Sequence, residues 1–340
     1  MSKKRIGIIS PSDIAYRRFM PGLLSEGNFD FGGVAIASRD EWPTVDTEQE
    51  VLKAEKLIDG YGGKIYTSYH ECIESKDLDA IYIPLPPSLH AYWGKRTLEA
   101  GKHLLLEKPF TTNCDDTEEL VLLAQEKNLA IHENYAFIYH RRIRTLLELL
   151  HDNSIGDIRL VRADFGFPYR GVNDFRYNKA LGGGALLDCG GYPLKLASLL
   201  LDDCSVISSF LGYSKIHDVD IYGSAMLYGK NHMAAQIGFG MDNSYRCDLE
   251  IWGETGYMIL PRVFTPPSDM KTEILITRKT DTQHIEIQPD DQFAQSIGRF
   301  HESIRNNDKR VESMQEILAQ SKAITAIRNQ ATNVNGEKIL

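Results

Sequence analysis

Between Lys4 and Glu133, short and continuously apolar runs alternate with helix-length stretches, and no other feature narrows the architecture as much. The runs are RIGIIS, FGGVAIAS, DAIYIPLP, KHLLLE and LAIHEN; between them lie Ile14–Leu24, Thr47–Tyr61, Ser88–Ala100 and Asp115–Lys127. A strand covered by helices on both faces is apolar throughout instead of alternating, so these runs predict a doubly wound parallel sheet. Thr47 followed by Glu50 has capping-box spacing and sets the start of one helix.

After about residue 150 the pattern changes. Strand-like runs at Ile158–Phe167, Val206–Gly212, Val219–Tyr228, His232–Gly240, Ser244–Trp252, Tyr257–Leu260, Lys271–Thr277 and His284–Gln288 are punctuated by turns such as Gly229-Lys230-Asn231-His232 and Met241-Asp242-Asn243-Ser244. They read as an antiparallel meander. Two helical stretches follow, Asp290–Asn306 and Ser313–Asn329, the second opened by Ser313 and Glu316 as a capping box. A chain of 340 residues exceeds what one core usually supports, so two domains are expected, 1–128 and 129–340.

A net charge of −9 and a pI near 5.6, with no basic tract, argue against nucleic acid or an anionic membrane as the partner. The longest apolar stretches are broken by Asp188, Lys195 or prolines, and MSKKRIGIIS leads straight into a strand pattern. No signal peptide and no transmembrane span are expected, which makes the cytoplasm the default. Cys72, Cys114, Cys189, Cys204 and Cys247 show no CxxC spacing, and the ten histidines show neither HxH nor HExxH. Disulfides, a structural zinc and a catalytic metal are therefore not expected.

In a doubly wound fold a ligand lies over the carboxyl ends of the strands, beginning at the first strand-to-helix turn, here Ser10-Pro11-Ser12-Asp13-Ile14-Ala15. A dinucleotide fingerprint wants glycine at 10 and 12 and a small residue at 15; both glycines are serine and Ala15 keeps the third place. Serine is the least disruptive replacement, and the amides of Asp13 and Ile14 remain at the helix start. The other reading is an ordinary strand-to-helix turn. At the end of the second strand, where an NAD site usually has an acid, stand Ser38 and Arg39. A guanidinium fork suits a 2′-phosphate, favouring NADP over NAD; adenine stacking or a plain surface position are the alternatives. Further on, Pro84-Leu85-Pro86-Pro87-Ser88-Leu89-His90 suits a stiff nicotinamide wall formed by Leu85, Pro86 and His90, or simply a proline-bounded loop.

Two clusters carry the chemistry. HLLLEKPF places Glu107 and Lys108 directly after an apolar strand, both as candidates to bind the cofactor, and LGGGALLDCGGYP places Asp188 and Tyr192 four residues apart, on one face of a helix beginning near Ala185. Alone, such a tyrosine is more often a core residue. A tyrosine with an ordinary pKa of about 10 is a proton donor at neutral pH, suited to an alkoxide formed by hydride delivery to a ketone. Lys108 would hold positive charge beside that oxyanion and bind a ribose or substrate hydroxyl. Arg176, in Asn173-Asp174-Phe175-Arg176-Tyr177, would lie at the cleft mouth or on the surface.

The first turn, Pro86–His90, Glu107-Lys108-Pro109, Leu181–Tyr192, VDIYGSAMLYGKNHMAAQIGFG and LEIWGETGYMIL, in this order, resemble the glucose-fructose oxidoreductase, inositol dehydrogenase and MocA family over nearly the whole chain. The resemblance implies an N-terminal Rossmann domain, a C-terminal α/β domain with a large, mostly antiparallel sheet, and hydride transfer between a nicotinamide cofactor and a sugar or related alcohol. Many members carry D-x-G-x-H-x-x-D, whereas this chain has Asp188-Cys189-Gly190-Gly191-Tyr192-Pro193-Leu194-Lys195, with tyrosine for the histidine and lysine for the last acid. Tyrosine there is similar to the glucose-fructose oxidoreductase, dihydrodiol dehydrogenase and nucleotide-sugar 3-ketoreductase branches, where NADP is common. The implied activity is NADP(H)-dependent reduction of a nucleotide-linked keto-sugar, with Lys108 and Tyr192 catalytic and Lys108, Asp188 and Arg176 at the substrate. Oxidation of aldoses or trans-dihydrodiols is the alternative among enzymes, and a cofactor- or sugar-sensing regulator the alternative outside them. The implied assembly is a homodimer or homotetramer, through an exposed face of the second sheet.

Overall fold

The computed structural model describes residues 3–42, 45–214, 216–230 and 232–332; Met1, Ser2 and Asn231, cited above, lie outside them. Contacts divide the chain into two compact units, Met1–Asn134 with Phe293–Leu318, and Tyr135–Gln292 with Ala319–Leu340.

In the first unit six strands, β1 (Lys4–Ile9), β2 (Phe29–Ala35), β3 (Lys64–Tyr66), β4 (Ala80–Ile83), β5 (His103–Leu106) and β6 (Ile131–Glu133), form a parallel sheet in the order β3-β2-β1-β4-β5-β6. This is the order of dinucleotide-binding folds, and its reversal beside β1 opens a crevice at the carboxyl ends of β1 and β4. Five helices, α1 (Met20–Glu26), α2 (Thr47–Tyr61), α3 (Tyr69–Glu74), α4 (His90–Glu99) and α5 (Cys114–Glu126), connect the strands. The apolar runs are buried along β1, β4 and β5, as two-sided cover requires. The α2 boundaries agree with the sequence pattern, but its cap does not: Asp46 is the N-cap, its carboxylate accepting from Gln49 N at 3.1 Å. Glu50 is instead drawn towards the backbone of Ala37, and burial raises its pKa. The short β3 and α3 have no counterpart in the sequence reading.

In the second unit α6 (Arg141–His151) precedes β7 (Ile158–Gly166), and α7 (Gly191–Leu200) follows it. Then come β8 (Ser205–Tyr213), β9 (Asp220–Tyr228), β10 (Ala234–Gly240), β11 (Arg246–Gly253), β12 (Tyr257–Leu260), β13 (Thr272–Arg278) and β14 (Asp281–Ile287). The chain closes with α8 (Gln292–Arg305) and α9 (Asn307–Gln330), of which Phe293–Leu318 belongs to the first unit and the rest to the second, and with β15 (Ala331–Thr332) in the second. The sheet order is β14-β13-β12-β11-β7-β10-β9-β8-β15. It is not a simple meander. β7 lies in the middle, antiparallel to β11 but parallel to β10, so a strand made early in the chain seeds a sheet completed on both sides later. The capping box at Ser313 is also overturned: α9 starts at Asn307, and the Ser313 hydroxyl donates to Ile131 O at 2.9 Å within the first unit.

Candidate active site

At the cofactor end, the chain leaves β1 with Ser10 at φ +80, a left-handed conformation that glycine adopts without cost. The turn thus keeps the backbone of a glycine fingerprint although its side chain is serine. Ser10 N donates to Ala35 O at 3.0 Å, Ser12 N to Ser10 O at 2.9 Å, and the Ser12 hydroxyl accepts from Ala15 N at 3.2 Å. Asp13 is exposed at the turn, with Ile14 half-buried and Ala15 buried after it. Residues Ala15–Phe19 then form a single π-helical stretch before α1, widening the helix start.

The Ser38–Arg39 corner is anchored by a residue the sequence reading missed. Glu41 accepts from Ser38 N (2.9 Å), Tyr69 N and His70 N (both 3.0 Å) and faces His70 Nδ1 at 2.7 Å. Burial pushes the Glu41 carboxyl up, but the amides more than offset it, so its pKa lies below the ordinary carboxylate value. With this acid occupied inward, Arg39 stands exposed at the end of the corner. An acid three residues after Ser38 was the available signal.

Leu85 is buried and Pro86 half-buried after β4. His90 turns its ring inward. Its ring is wholly buried, with Nε2 2.8 Å from Leu85 O and Nδ1 2.9 Å from Pro109 O. Burial holds its pKa below the ordinary value, against the pull of these carbonyls; a neutral ring donates to only one of them, and the ring is packed between the β4 loop and the Lys108-Pro109 turn without facing outward. Lys108 and Pro109 are joined by a cis peptide bond. Glu107 turns its carboxylate inward, where Oε1 accepts from Tyr82 OH (2.6 Å) and Asn134 Nδ2 (2.7 Å). The chain continues from Ser296 Oγ to Asn134 Oδ1 and to His132 Nε2, each at 2.8 Å. Burial raises the Glu107 pKa, against the pull of Tyr82, Asn134 and Lys108. Glu107 therefore supports the strand end that presents Lys108, which is half-buried.

These features fit a dinucleotide: a left-handed first turn, amides at the next helix start, an exposed arginine after β2 and a stiff apolar loop after β4. Lys108 belongs to this unit.

Asp188, Arg176 and Tyr192 belong to the second unit. The glycines are required by close approach: a Cβ on Gly183 would lie 2.4 Å from Arg176 O, and one on Gly184, at φ +124, 2.4 Å from Asp220 Oδ1. Leu186–Gly190 is π-helical and passes into α7, so Asp188 and Tyr192 share a face of a continuous but widened helix, not of a regular α-helix starting at Ala185. Arg176 Nε donates to Asp188 Oδ2 at 2.9 Å, and one Nη to both oxygens of Asp174 at 3.1 and 3.2 Å. Arg176 is thus neither loose nor on the surface; two carboxylates balance its charge and it braces the glycine turn. The Tyr192 ring lies among Phe165 (5.0 Å), Tyr135 (5.3 Å), Phe137 (5.7 Å) and Phe264 (5.8 Å). Four rings fix its direction, and the half-buried residue keeps a path to solvent.

Residues 44–135 match the oxidoreductase family with an NAD-binding Rossmann fold, and residues 143–259 match the GFO/IDH/MocA C-terminal domain. The dTDP-3,4-didehydro-2,6-dideoxy-alpha-D-glucose 3-reductase of Actinomadura kijaniata is 35% identical over 97% of this chain and 96% of its own length. The chain belongs to the Gfo/Idh/MocA oxidoreductase family. A solved 3-ketoreductase from Actinomadura kijaniata, in complex with NADP and TDP-benzene, superposes with a TM-score of 0.88, at 35% identity over 97% of this chain and 98% of that one. Variants of it with tyrosine changed to phenylalanine and lysine changed to alanine have also been solved with both ligands. The trans-1,2-dihydrobenzene-1,2-diol dehydrogenase of Xenopus laevis is 34% identical, over 58% of this chain and 56% of its own length. No helix among the described residues is long and apolar enough to cross a membrane.

Proposed function

We propose that this oxidoreductase uses NADPH to reduce the 3-keto group of a nucleotide-linked keto-sugar. The observation that carries the reading is the pairing of a chain-long match to a 3-reductase with Lys108 and Tyr192, separated by the same number of residues as the lysine and tyrosine substituted in the solved 3-ketoreductase. The partial match to the dihydrodiol dehydrogenase leaves that activity the weaker alternative.

The bound cofactor supplies the hydride. Ser10, Ser12, Asp13, Ile14 and Ala15 take its diphosphate at the first turn, Ser38 and Arg39 its 2′-phosphate, and Leu85 and Pro86 wall the nicotinamide. Tyr192 gives its phenolic proton to the alkoxide, so that ketone, NADPH and one proton become alcohol and NADP⁺. Lys108 holds positive charge at the carbonyl oxygen, lowering the barrier as negative charge develops there. Asp188, oriented by Arg176, receives a sugar hydroxyl. A second copy of the chain covers the open face of the second sheet, where Ile207, Trp252, Arg162 and Arg246 are each exposed, and the protein works in the cytoplasm.

The test is NADPH consumption with a dTDP-linked 3-keto-sugar, with the corresponding free sugar, and with a trans-dihydrodiol in the oxidative direction. The nucleotide-linked ketone should give the largest kcat/KM, because binding energy remote from the carbonyl supports the chemical step. Arg39→Ala should weaken NADPH binding selectively and leave NADH binding unchanged. Faster turnover of the diol, or equal turnover of free and nucleotide-linked sugar, would overturn the reading.

A further inference from the structure

We infer that Asp220 is a positioning residue for this reaction: its carboxylate holds the first turn of the helical segment that carries Asp188 and Tyr192, and so sets the direction in which the Tyr192 phenol is presented. The inference rests on Tyr192 being the proton donor.

Asp220 is the first residue of β9, inside the late stretch VDIYGSAML that has no role in the cofactor or proton chemistry. Its Oδ2 accepts from Leu186 N at 2.6 Å, at the first residue of the π-helical stretch. Oδ1 occupies the space a Cβ on Gly184 would need. Asp188 N in turn donates to Gly184 O at 3.0 Å, so the same short segment touches the Asp220 carboxylate and anchors Asp188. The start of a helix carries partial positive charge, and an ionised carboxylate there satisfies amides that have no partner inside the helix. Because Leu186–Gly190 is π-helical, this contact sits where the turn departs from α geometry, and Tyr192 follows two residues after it ends.

The charged and titratable groups facing Asp220 are Arg328 on α9 and Tyr213 on β8, its register partner, with Lys179 and Asp218 near Tyr213. Burial pushes the Asp220 carboxyl up to about 6; the amides of Leu186 and Ala185 and the charge of Arg328 only partly restrain it. Protonation therefore falls within the range where an enzyme can be assayed. It removes the negative charge from the helix start and weakens the hold on Leu186.

The test compares kcat against pH for the wild type and Asp220→Asn, using NADPH and the nucleotide-linked ketone at saturation, together with the wild-type ¹³C-tyrosine ring signal of Tyr192 against pH, assigned with Tyr192→Phe. Wild-type kcat should fall on the acid side with an apparent pKa of about 6. In Asp220→Asn that limb should vanish, with kcat lowered about tenfold to a hundredfold at pH 8, as for a small misplacement of a reacting group, and NADPH affinity unchanged. Gly184→Ala, which crowds the same oxygen without removing its charge, should lower kcat in the same way. A wild-type limb that persists in Asp220→Asn, or an unchanged kcat there, overturns the inference while the ketoreductase reading stands. If the wild type turns over no keto-sugar, or the variants do not fold, the ring signal decides: an inflection near pH 6 supports the coupling of Asp220 to Tyr192, and a flat response overturns it.

Discussion

Replacing Tyr192 separates what its ring does from what its hydroxyl does. Phe165, Tyr135, Phe137 and Phe264 hold the ring with centroids 5.0–5.8 Å away. Tyr192→Phe keeps every ring contact and removes only the O–H. Its cost to stability should stay within about 1 kcal/mol, the net worth of one hydrogen bond, or roughly 2–4 °C in Tm for a unit of this size. Its cost to catalysis should be far larger, about 10²–10⁴ in kcat, which at 1.36 kcal/mol per decade is roughly 3–5 kcal/mol of transition-state stabilisation. KM and NADPH affinity should barely move, because the proton is given only as the alkoxide forms. Tyr192→Ala supplies the contrast: it empties the space between four rings, costing about 3–5 kcal/mol of stability and lowering Tm by roughly 6–20 °C. Single-turnover decay of NADPH absorbance gives the chemical step, and thermal unfolding gives the stability. A phenylalanine variant within tenfold of wild-type kcat would refute Tyr192 as the acid. One that lost activity together with as much stability as the alanine variant would show that the ring, not the hydroxyl, is responsible.

Ser10→Gly should raise Tm by roughly 1–4 °C, since relieving a left-handed residue is worth about 1–2 kcal/mol and glycine's extra unfolded-state freedom returns about 0.5–1 of it. A lower Tm would mean that the serine hydroxyl contributes more than the backbone strain costs, and NADPH titration of the same variant checks that the turn still binds. For Asp220 the sign follows from a folded pKa of about 6 against an ordinary 3.8. Its raised pKa contributes stability that is complete below about pH 3.8 and lost as pH rises through about 6, at most roughly 3 kcal/mol. The difference in Tm between Asp220→Asn and wild type should therefore grow in the variant's favour from pH 4 to pH 7 and then level off; a difference that shrinks over that range would show that the carboxylate is better accommodated than its burial implies.

Much of the first sheet is legible because its physics is local. Covered parallel strands must be apolar along their whole length, and β1, β4 and β5 announce themselves in that way. A three-residue strand such as β3 is too short to show a period, and it was missed. Capping patterns proved less specific than their spacing suggests. Asp46 caps α2 one residue before the Thr47 pattern, while the same pattern at Ser313 lies inside α9, its hydroxyl spent on Ile131 O. The place of β7 between β11 and β10 depends on pairings with residues at least 74 positions later, as Gly166 with Gly240 on one side and Arg246 on the other show, and no local periodicity reports such a choice.

The site divides along the same line. Residues that meet solvent or reactants come in recognisable spacings: Glu107-Lys108-Pro109, and Asp188 with Tyr192. Most residues that hold them in place do so from far away in sequence: Asn134 and Ser296 behind Glu107, and Asp220 across the start of the π-helical stretch; Glu41 is close to Ser38 in sequence but takes its place through the distant amides of α3. Each is a single polar residue whose meaning exists only after folding, and His90 shows the converse, a residue in a promising loop whose ring turns inward to carbonyls. The groups that bind and react can therefore be read from spacing, whereas those that fix their direction and protonation cannot. Activity that changes on altering Asp220 or Glu41, neither of them adjacent in sequence to Lys108 or Tyr192, is the consequence that a motif-based reading of this family would not anticipate.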